Sequence, residues 1–313
     1  MQGTYNPNEA TDLDGDNPLK VSKSSFMTVN KCPRQYWWRK IGLADVEIPA
    51  NPAMMRGSRI HDAYEYLFST WKFDVRFPNE PPYTQDISDA LSASYAGCDP
   101  HEDDVVALIA LAELENARID EWGLDGYAPL MFEKKLTYDC PELGVRLVGI
   151  PDAVLVRPNG DLVIVELKTG NWNDGKMGRT RRELCFYWHI LNKLGYGQNE
   201  PDIYFMYVVP DCDNYDLLTK LEGMRSKTVW SGDAQGVTII EKMNARSYNT
   251  MLKWLGEAVT TLKEGDWDMK WDDYYCTSWC DFYMSCDSEI QGDSEPPWIE
   301  VQNVVVEEEG WDS

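Results

Sequence analysis

The sequence predicts an α/β fold, with a mixed central sheet flanked by helices, and three observations carry that expectation. Apolar, strand-like runs in the middle of the chain lie between segments of helical spacing. The dipeptide Asn159-Gly160 separates two such runs, a strong signal for a tight hairpin. On either side, apolar residues recur three and four positions apart, the pattern of amphipathic helices. In chain order, residues 25–40 are expected to be mostly helical, with Pro33 marking a boundary. From Gly57 to Trp71, Ile60, Tyr64, Leu67, Phe68 and Trp71 define an amphipathic helix. Residues 78–100 read as a loop punctuated by Pro78, Pro81 and Pro82. Asp103 to Trp122 follows as a long helix opened by acidic residues, which favour a helix N-terminus. Strands are expected within Leu130–Tyr138, Gly144–Arg157, Asp161–Lys168 and Ile203–Val209, and helices over Thr180–Leu194 and Ala245–Leu262.

The chain has 313 residues and a formal charge of −24, so at face value it is a poor partner for a phosphate backbone. With 43% apolar and 12% aromatic residues it can still build a sizeable core. The longest nearly apolar run, Val105 to Leu114, contains Glu113 and is too short to span a bilayer of roughly 30 Å. The first residues have neither a basic nor an apolar region of a secretory signal. A cytoplasmic protein with no membrane partner is therefore expected, and its eight cysteines read as metal ligands or core thiols before disulfides.

Residues 149–170, GIPDAVLVRPNGDLVIVELKTG, hold the densest chemistry. Alternate residues of a strand share a face, so Glu166 and Lys168 project together while Val163, Val165 and Leu167 take the opposite side. An isolated E-x-K is ordinarily an ion pair on an exposed face. Here Asp152 stands across the hairpin, and two carboxylates on an apolar sheet suit Mg²⁺ or Mn²⁺. Such a metal polarises a scissile phosphate and activates water, while Lys168 orients that water or offsets charge in the transition state.

The segment Pro151-Asp152 … Glu166-Leu167-Lys168 resembles the signature of the PD-(D/E)XK nuclease superfamily. More narrowly, G-x-x-D … V-x-E-L-K-T-G is similar to the RecB-type branch, which includes CRISPR-associated adaptation nucleases and phage exonucleases. RGSRIHDAYEYL (residues 56–67) is similar to that branch's G-x-x-x-H-x-x-x-E helix, with His61 and Glu65 one turn apart. The resemblance implies a restriction-endonuclease-like fold and a metal held by His61, Asp152, Glu166 and the backbone carbonyl of Leu167. RRELCFYWHIL (residues 181–191) falls where the family carries Q-x-x-x-Y. Tyr187 matches, but Glu183 replaces the amide, so that position has either a modified role or none. Lys176, Arg179, Arg181 and Arg182 precede and open this helix, a candidate DNA phosphate clamp or a plain solvated surface.

Cys276, Cys280 and Cys286 form a tight triplet, one ligand short of the four that Zn²⁺ or a [4Fe–4S] cluster takes. Iron–sulfur members of the branch place one cysteine upstream of the nuclease core, and Cys32 in KCPRQYWW stands there. The resemblance thus implies a [4Fe–4S] cluster on Cys32, Cys276, Cys280 and Cys286 that staples the two ends of the chain. A Zn(Cys)₄ site or core thiols are the alternatives. Tyr36, Trp37 and Trp38 read as packing residues before single-strand stacking platforms.

The expected division is a flexible lead over 1–21, a helical part over 22–129 carrying Cys32 and His61, a nuclease core over 130–264, a cysteine segment over 265–286 and an acidic tail over 287–313. The expected activity is that of a Mg²⁺- or Mn²⁺-dependent deoxyribonuclease, an exonuclease on DNA ends or single strands, with a recombination or CRISPR-adaptation protein as partner. A non-catalytic DNA-binding or assembly subunit is the alternative. The tail holds nine acidic residues and no basic one, whereas Lys31–Lys40 and Lys176–Arg182 each gather four basic residues. The charge balance therefore predicts a narrow basic track on an acidic body, binding DNA modestly and with strong salt dependence.

Overall fold

A computed structural model describes residues 13, 15–42, 52–70, 101–123, 129–170, 172–197, 202–210, 227–231 and 236–292. The expected loop at 78–100, Trp71, Cys98, Cys212, most of the lead and the tail beyond 292 lie outside the described residues. The chain order is β1 (Lys20–Ser22), α1 (Lys23–Lys31), α2 (Pro33–Trp37), a π-helical turn (Trp38–Gly42), α3 (Pro52–Thr70) and α4 (Glu102–Trp122). There follow β2 (Met131–Phe132), β3 (Leu136–Cys140), β4 (Val145–Gly149), β5 (Ala153–Val156), β6 (Leu162–Leu167), α5 (Asp174–Lys193) and β7 (Ile203–Val209). The described chain closes with β8 (Lys227–Ser231), β9 (Val237–Lys242), α6 (Ala245–Glu264), α7 (Asp273–Trp279) and α8 (Tyr283–Gln291).

The strands form two sheets rather than the single one expected. The larger runs β2-β5-β6-β7-β9-β8, and the smaller runs β1-β4-β3. The division falls at Ile150-Pro151-Asp152, inside what reads from sequence as one apolar stretch. Pro151 has no amide hydrogen to donate to a ladder, so β4 ends before it and β5 begins after Asp152. The predicted hairpin forms: β5 and β6 pair antiparallel, with Ala153 opposite Val165 and Val156 opposite Leu162. Gly160 closes the turn at φ +91°, donating its amide to the Arg157 carbonyl at 2.8 Å. β6 and β7 then pair parallel through the helical crossover α5, with Glu166 opposite Tyr207.

The alternation read from β6 divides the core. Leu162 and Ile164 face α5, α6 and the smaller sheet, within a cluster that includes Phe186, Tyr187, Phe205 and Leu255. Val163, Val165 and Leu167 face the other side, against Ile60 and Tyr64 of α3 and Leu108 and Leu111 of α4. Because helices or sheet cover both faces, every residue of β6 is buried. That puts the carboxylate of Glu166 inside the protein and Lys168 just past the strand's end. Helix α5 starts earlier than its apolar periodicity suggests, because Asn173 caps it and accepts the Lys176 amide at 2.9 Å. Among the described residues, no helix is long and apolar enough to cross a membrane.

Candidate active site

The C-terminal end of β6 is where the two faces of the large sheet meet, and the predicted site residues converge there. Asp152 sits at the start of β5, one residue before the strand rather than on it. Its Oδ2 accepts the Leu167 amide at 2.6 Å, which ties the two arms of the hairpin together at their open end. His61 arrives from α3 on the opposite face, with Nδ1 3.9 Å from Asp152 Oδ1 and a hydrogen bond to the Leu167 backbone. Close approach of that helix depends on Gly57, whose added Cβ would lie 3.3 Å from Thr169 Oγ1. Glu65, one turn along, is exposed and lies near Glu133 instead of in the cluster.

Glu166 is almost fully buried, and a buried carboxylate requires partners. Its Oε1 accepts from Lys168 Nζ at 2.7 Å and from Lys23 Nζ at 2.8 Å. Its Oε2 is buried with no hydrogen-bond partner. Lys168 also donates to Glu183 Oε2 at 3.0 Å, and Lys23 lies 3.7 Å from the same oxygen. Glu183 is therefore no bystander: it is buried and joined to both lysines, with Arg179 Nε 3.4 Å from its other oxygen. Tyr187 stacks below Lys23, whose Nζ lies 5.1 Å from the ring centroid. The glycine of the G-x-x-D pattern makes room for that ring, since a Cβ on Gly149 would stand 2.9 Å from Tyr187 Cδ1.

The electrostatics separate the two central carboxylates. Burial and the neighbouring Glu166 charge push Asp152 well above its ordinary value. Burial also works against ionising Glu166, but Lys23 and Lys168 outweigh it and hold this carboxyl below its ordinary value. Burial pushes the His61 imidazole down, which keeps it neutral and able to donate a lone pair. Among the described residues, no three carboxylate, imidazole or thiol groups already surround one centre. The donor chemistry nonetheless fits a hard divalent cation. Asp152, Glu166 and a neutral His61 supply oxygen and nitrogen donors at this end of β6, and the Glu166 Oε2 lone pairs have no hydrogen-bond partner.

Lys23 is the site residue that sequence reasoning missed. It belongs to a polar S-K-S-S stretch that looks like any helix start. The parallel pairing of β1 with β4 carries it to Glu166, 143 residues away, and no local pattern announces such a pairing.

The four basic residues of the proposed clamp do not act alike. Lys176 and Arg179 are exposed, but Arg181 turns inward and donates to Glu241 Oε2 at 2.8 Å. Tyr207 donates to the same carboxylate at 2.6 Å, and Arg182 lies over the Trp254 ring at 4.5 Å. Arg181 therefore belongs to a buried ion pair. Arg181→Ala should destabilise the protein by about 2 kcal/mol, because it removes two charge-assisted hydrogen bonds from the buried Glu241 carboxylate, to which Tyr207 still donates. Arg179→Ala should cost less than about 0.5 kcal/mol. Paired urea denaturation curves check both.

The four cysteines of the second expected constellation lie around one cavity, but among the described residues no three of them already surround one centre as metal ligands would. Cys32, Cys276, Cys280 and Cys286 line one cavity of about 270 Å³ with Trp271 and Tyr275. All four are free thiols, and Cys32 stands between α1 and α2, where Pro33 begins the second helix. Burial, and then the adjacent Cys280 and Cys32, push the Cys286 thiol up to about 11. Trp38 packs against Phe282 and Cys286, as the packing reading of the aromatic cluster requires. Arg34 and Arg39 reach Glu289 and Asp281 at 3.2 and 3.1 Å, pinning the C-terminal helices to the N-terminal ones. Cys185 is core, its thiol pushed up to about 12 by burial, and Cys140 is buried at the end of β3.

A sequence profile described as the PD-(D/E)XK nuclease superfamily matches residues 20–287. No curated protein sequence matches the chain. Among solved structures, the chain is similar to one titled SSO0001, with 11% identity and a TM-score of 0.36 over 84% of this chain and 83% of that one. It is also similar to LHK-Exo, solved in complex with dAMP, with 12% identity and a TM-score of 0.25 over 66% of this chain and 87% of that one. The profile spans β1 through the cysteine segment and takes in every residue of both constellations, so the chain belongs to the PD-(D/E)XK nuclease superfamily.

Proposed function

We propose that this chain is a metal-dependent deoxyribonuclease of the RecB type, an exonuclease acting on DNA ends or single strands in recombination, repair or CRISPR-type DNA processing. The observation that carries the reading is the buried Glu166 carboxylate, with one oxygen clamped by two lysines and the other without a hydrogen-bond partner. Mg²⁺ or Mn²⁺ held by Asp152, Glu166, His61 and the Leu167 carbonyl would polarise the scissile phosphate and acidify water. The chain's own groups do the rest. The Leu167 amide fixes the rotation of Asp152. Lys168, half held by Glu166 and Glu183, presents an ammonium at the open end of β6, where it orients the attacking water and offsets phosphate charge. Lys176 and Arg179, exposed on the first turns of α5, would meet the DNA backbone.

In this reading Cys32, Cys276, Cys280 and Cys286 would hold a [4Fe–4S] cluster, with Zn²⁺ as the alternative. Thiols are soft ligands suited to iron–sulfur clusters or zinc.

Lys168→Ala tests the catalytic assignment: Mn²⁺-dependent degradation of end-labelled DNA should fall by at least about 100-fold while DNA binding changes little. Undiminished cleavage by this variant would refute it. The ion pairing of Lys168 to two carboxylates also favours a second reading, a non-catalytic DNA-binding subunit, which wild-type binding without any cleavage in Mn²⁺ would select.

A further inference from the structure

The cluster at the end of β6 contains more charge than its metal-binding part requires. Three buried or nearly buried carboxylates, Asp152, Glu166 and Glu183, meet two ammonium groups, Lys23 and Lys168. Both ammonium groups lie within hydrogen-bond distance of the same atom, Glu166 Oε1, an arrangement two cations resist. Glu183 Oε2 relieves it, lying 3.0 Å from Lys168 and 3.7 Å from Lys23. The four groups thus alternate in sign around a ring. Remove Lys23, and Lys168 is the one ammonium left on Glu166 while it still shares Glu183 with Arg179. Remove the Glu183 charge, and two ammonium groups crowd a single oxygen.

We propose that Lys23 and Glu183 act as one compensating pair of positioning residues. On the metal-dependent reading above, Lys23 holds Glu166 with Oε1 toward the ammonium groups and Oε2 toward the cation. Glu183 keeps the local charge from repelling that cation. Lys23 is 26% exposed at its side chain, reaches the site from a helix that carries no other residue of it, and is placed by a strand pairing made only in the folded chain.

The proposal makes a signed prediction that a merely structural role does not. Lys23→Met keeps the apolar stem over Tyr187 and removes a positive charge beside a metal ligand, so Mn²⁺ should bind about tenfold tighter. Glu183→Gln removes a negative charge, so Mn²⁺ should bind about tenfold more weakly. In the double variant the two effects should cancel to within about threefold of wild type, because the residues are coupled through one ring. Turnover should follow a different course: each single variant loses about tenfold or more in kcat with little change in KM, and the double variant recovers most of the loss. Lys23→Arg, which keeps the charge, should retain Mn²⁺ affinity within about threefold.

Titration calorimetry with MnCl₂ on the full chain reads the first set, and single-turnover cleavage the second. Unchanged or weaker Mn²⁺ binding in Lys23→Met overturns the pair, as do losses that multiply in the double variant. Should Lys23→Met fail to fold, folding restored by adding Glu183→Gln supports the pair, and continued failure overturns it. A wild-type chain that takes up no Mn²⁺ overturns the metal reading together with this inference. A wild type that binds and cleaves, with both substitutions acting in one direction, overturns the pair alone.

Discussion

Asp152→Asn is expected to abolish cleavage while making the metal-free protein more stable at neutral pH. Both effects come from one buried charge. Burial and the adjacent Glu166 hold the Asp152 carboxyl above the ordinary 3.8, so its ionised form opposes folding. The sign follows from linkage. A carboxyl raised in the folded state contributes stability that is complete below the unfolded value and is lost as pH rises through the folded one. Above 3.8 the wild type progressively gives up that contribution, and Asn, which does not ionise, removes the penalty. Asn also keeps an oxygen for the Leu167 amide, which now reaches Asp152 at 2.6 Å. A gain of about 1–2 kcal/mol is expected, a few degrees in melting temperature for a chain of this size. The gap between variant and wild type should close as pH falls through the raised value toward 3.8. Cleavage should drop about 10³-fold, since an amide is a poor ligand for a hard cation and adds no negative charge. Adding Mn²⁺ should reverse the stability order, because binding to the native state raises stability by mass action in the wild type only. Thermal melts in chelator and in MnCl₂, run beside a labelled-DNA assay, check each part. A variant less stable than wild type in chelator at pH 7 would refute the charge argument.

Replacing Cys276 or Cys32 by alanine is expected to have the largest effect on the fold as a whole. The two residues lie 244 positions apart in the chain yet line one cavity, with Cys280 and Cys286 completing the set. A cofactor held there joins α1 and α2 to α7 and α8, and its binding energy becomes folding energy. Protein side chains already make part of this junction, through the Arg34–Glu289 and Arg39–Asp281 pairs, but these are partly exposed and contribute little. Anaerobically purified wild type should therefore absorb broadly near about 400 nm, and either substitution should remove that absorbance and lower the melting temperature by about 10 °C or more. Stoichiometric zinc in a colourless protein would assign the site to Zn(Cys)₄. A melting temperature unmoved by both substitutions would leave the thiols as core residues.

Much of the fold is legible in the chain because its signals are local. The apolar run at residues 162–167, the turn at Asn159-Gly160 and the helical spacing after residue 245 each arise from a few neighbouring residues, and each forms as read. β9 was not expected because Val237–Lys242 is a short run interrupted by Thr238, with no hairpin-turn dipeptide beside it such as the one that marks β6. The break between the sheets escaped because Pro151 acts on pairing, not on apolarity. The first residues of the expected acidic tail close α8 instead.

The site divides in the same way. Asp152, Glu166 and Lys168 were readable because a hairpin brings them together within seventeen residues, and the strand's period of two decides which share a face. The inward turn of Arg181, the engagement of Glu183 and the arrival of Lys23 were not, because each depends on an element packed from far along the chain. By itself, then, the sequence determined the nuclease-type carboxylates, the lysine beside them and the four cysteines. Only the tertiary structure decided how their charges are balanced. A buried charge takes its energy from whatever stands within a few ångströms, and spacing along the chain does not record that distance.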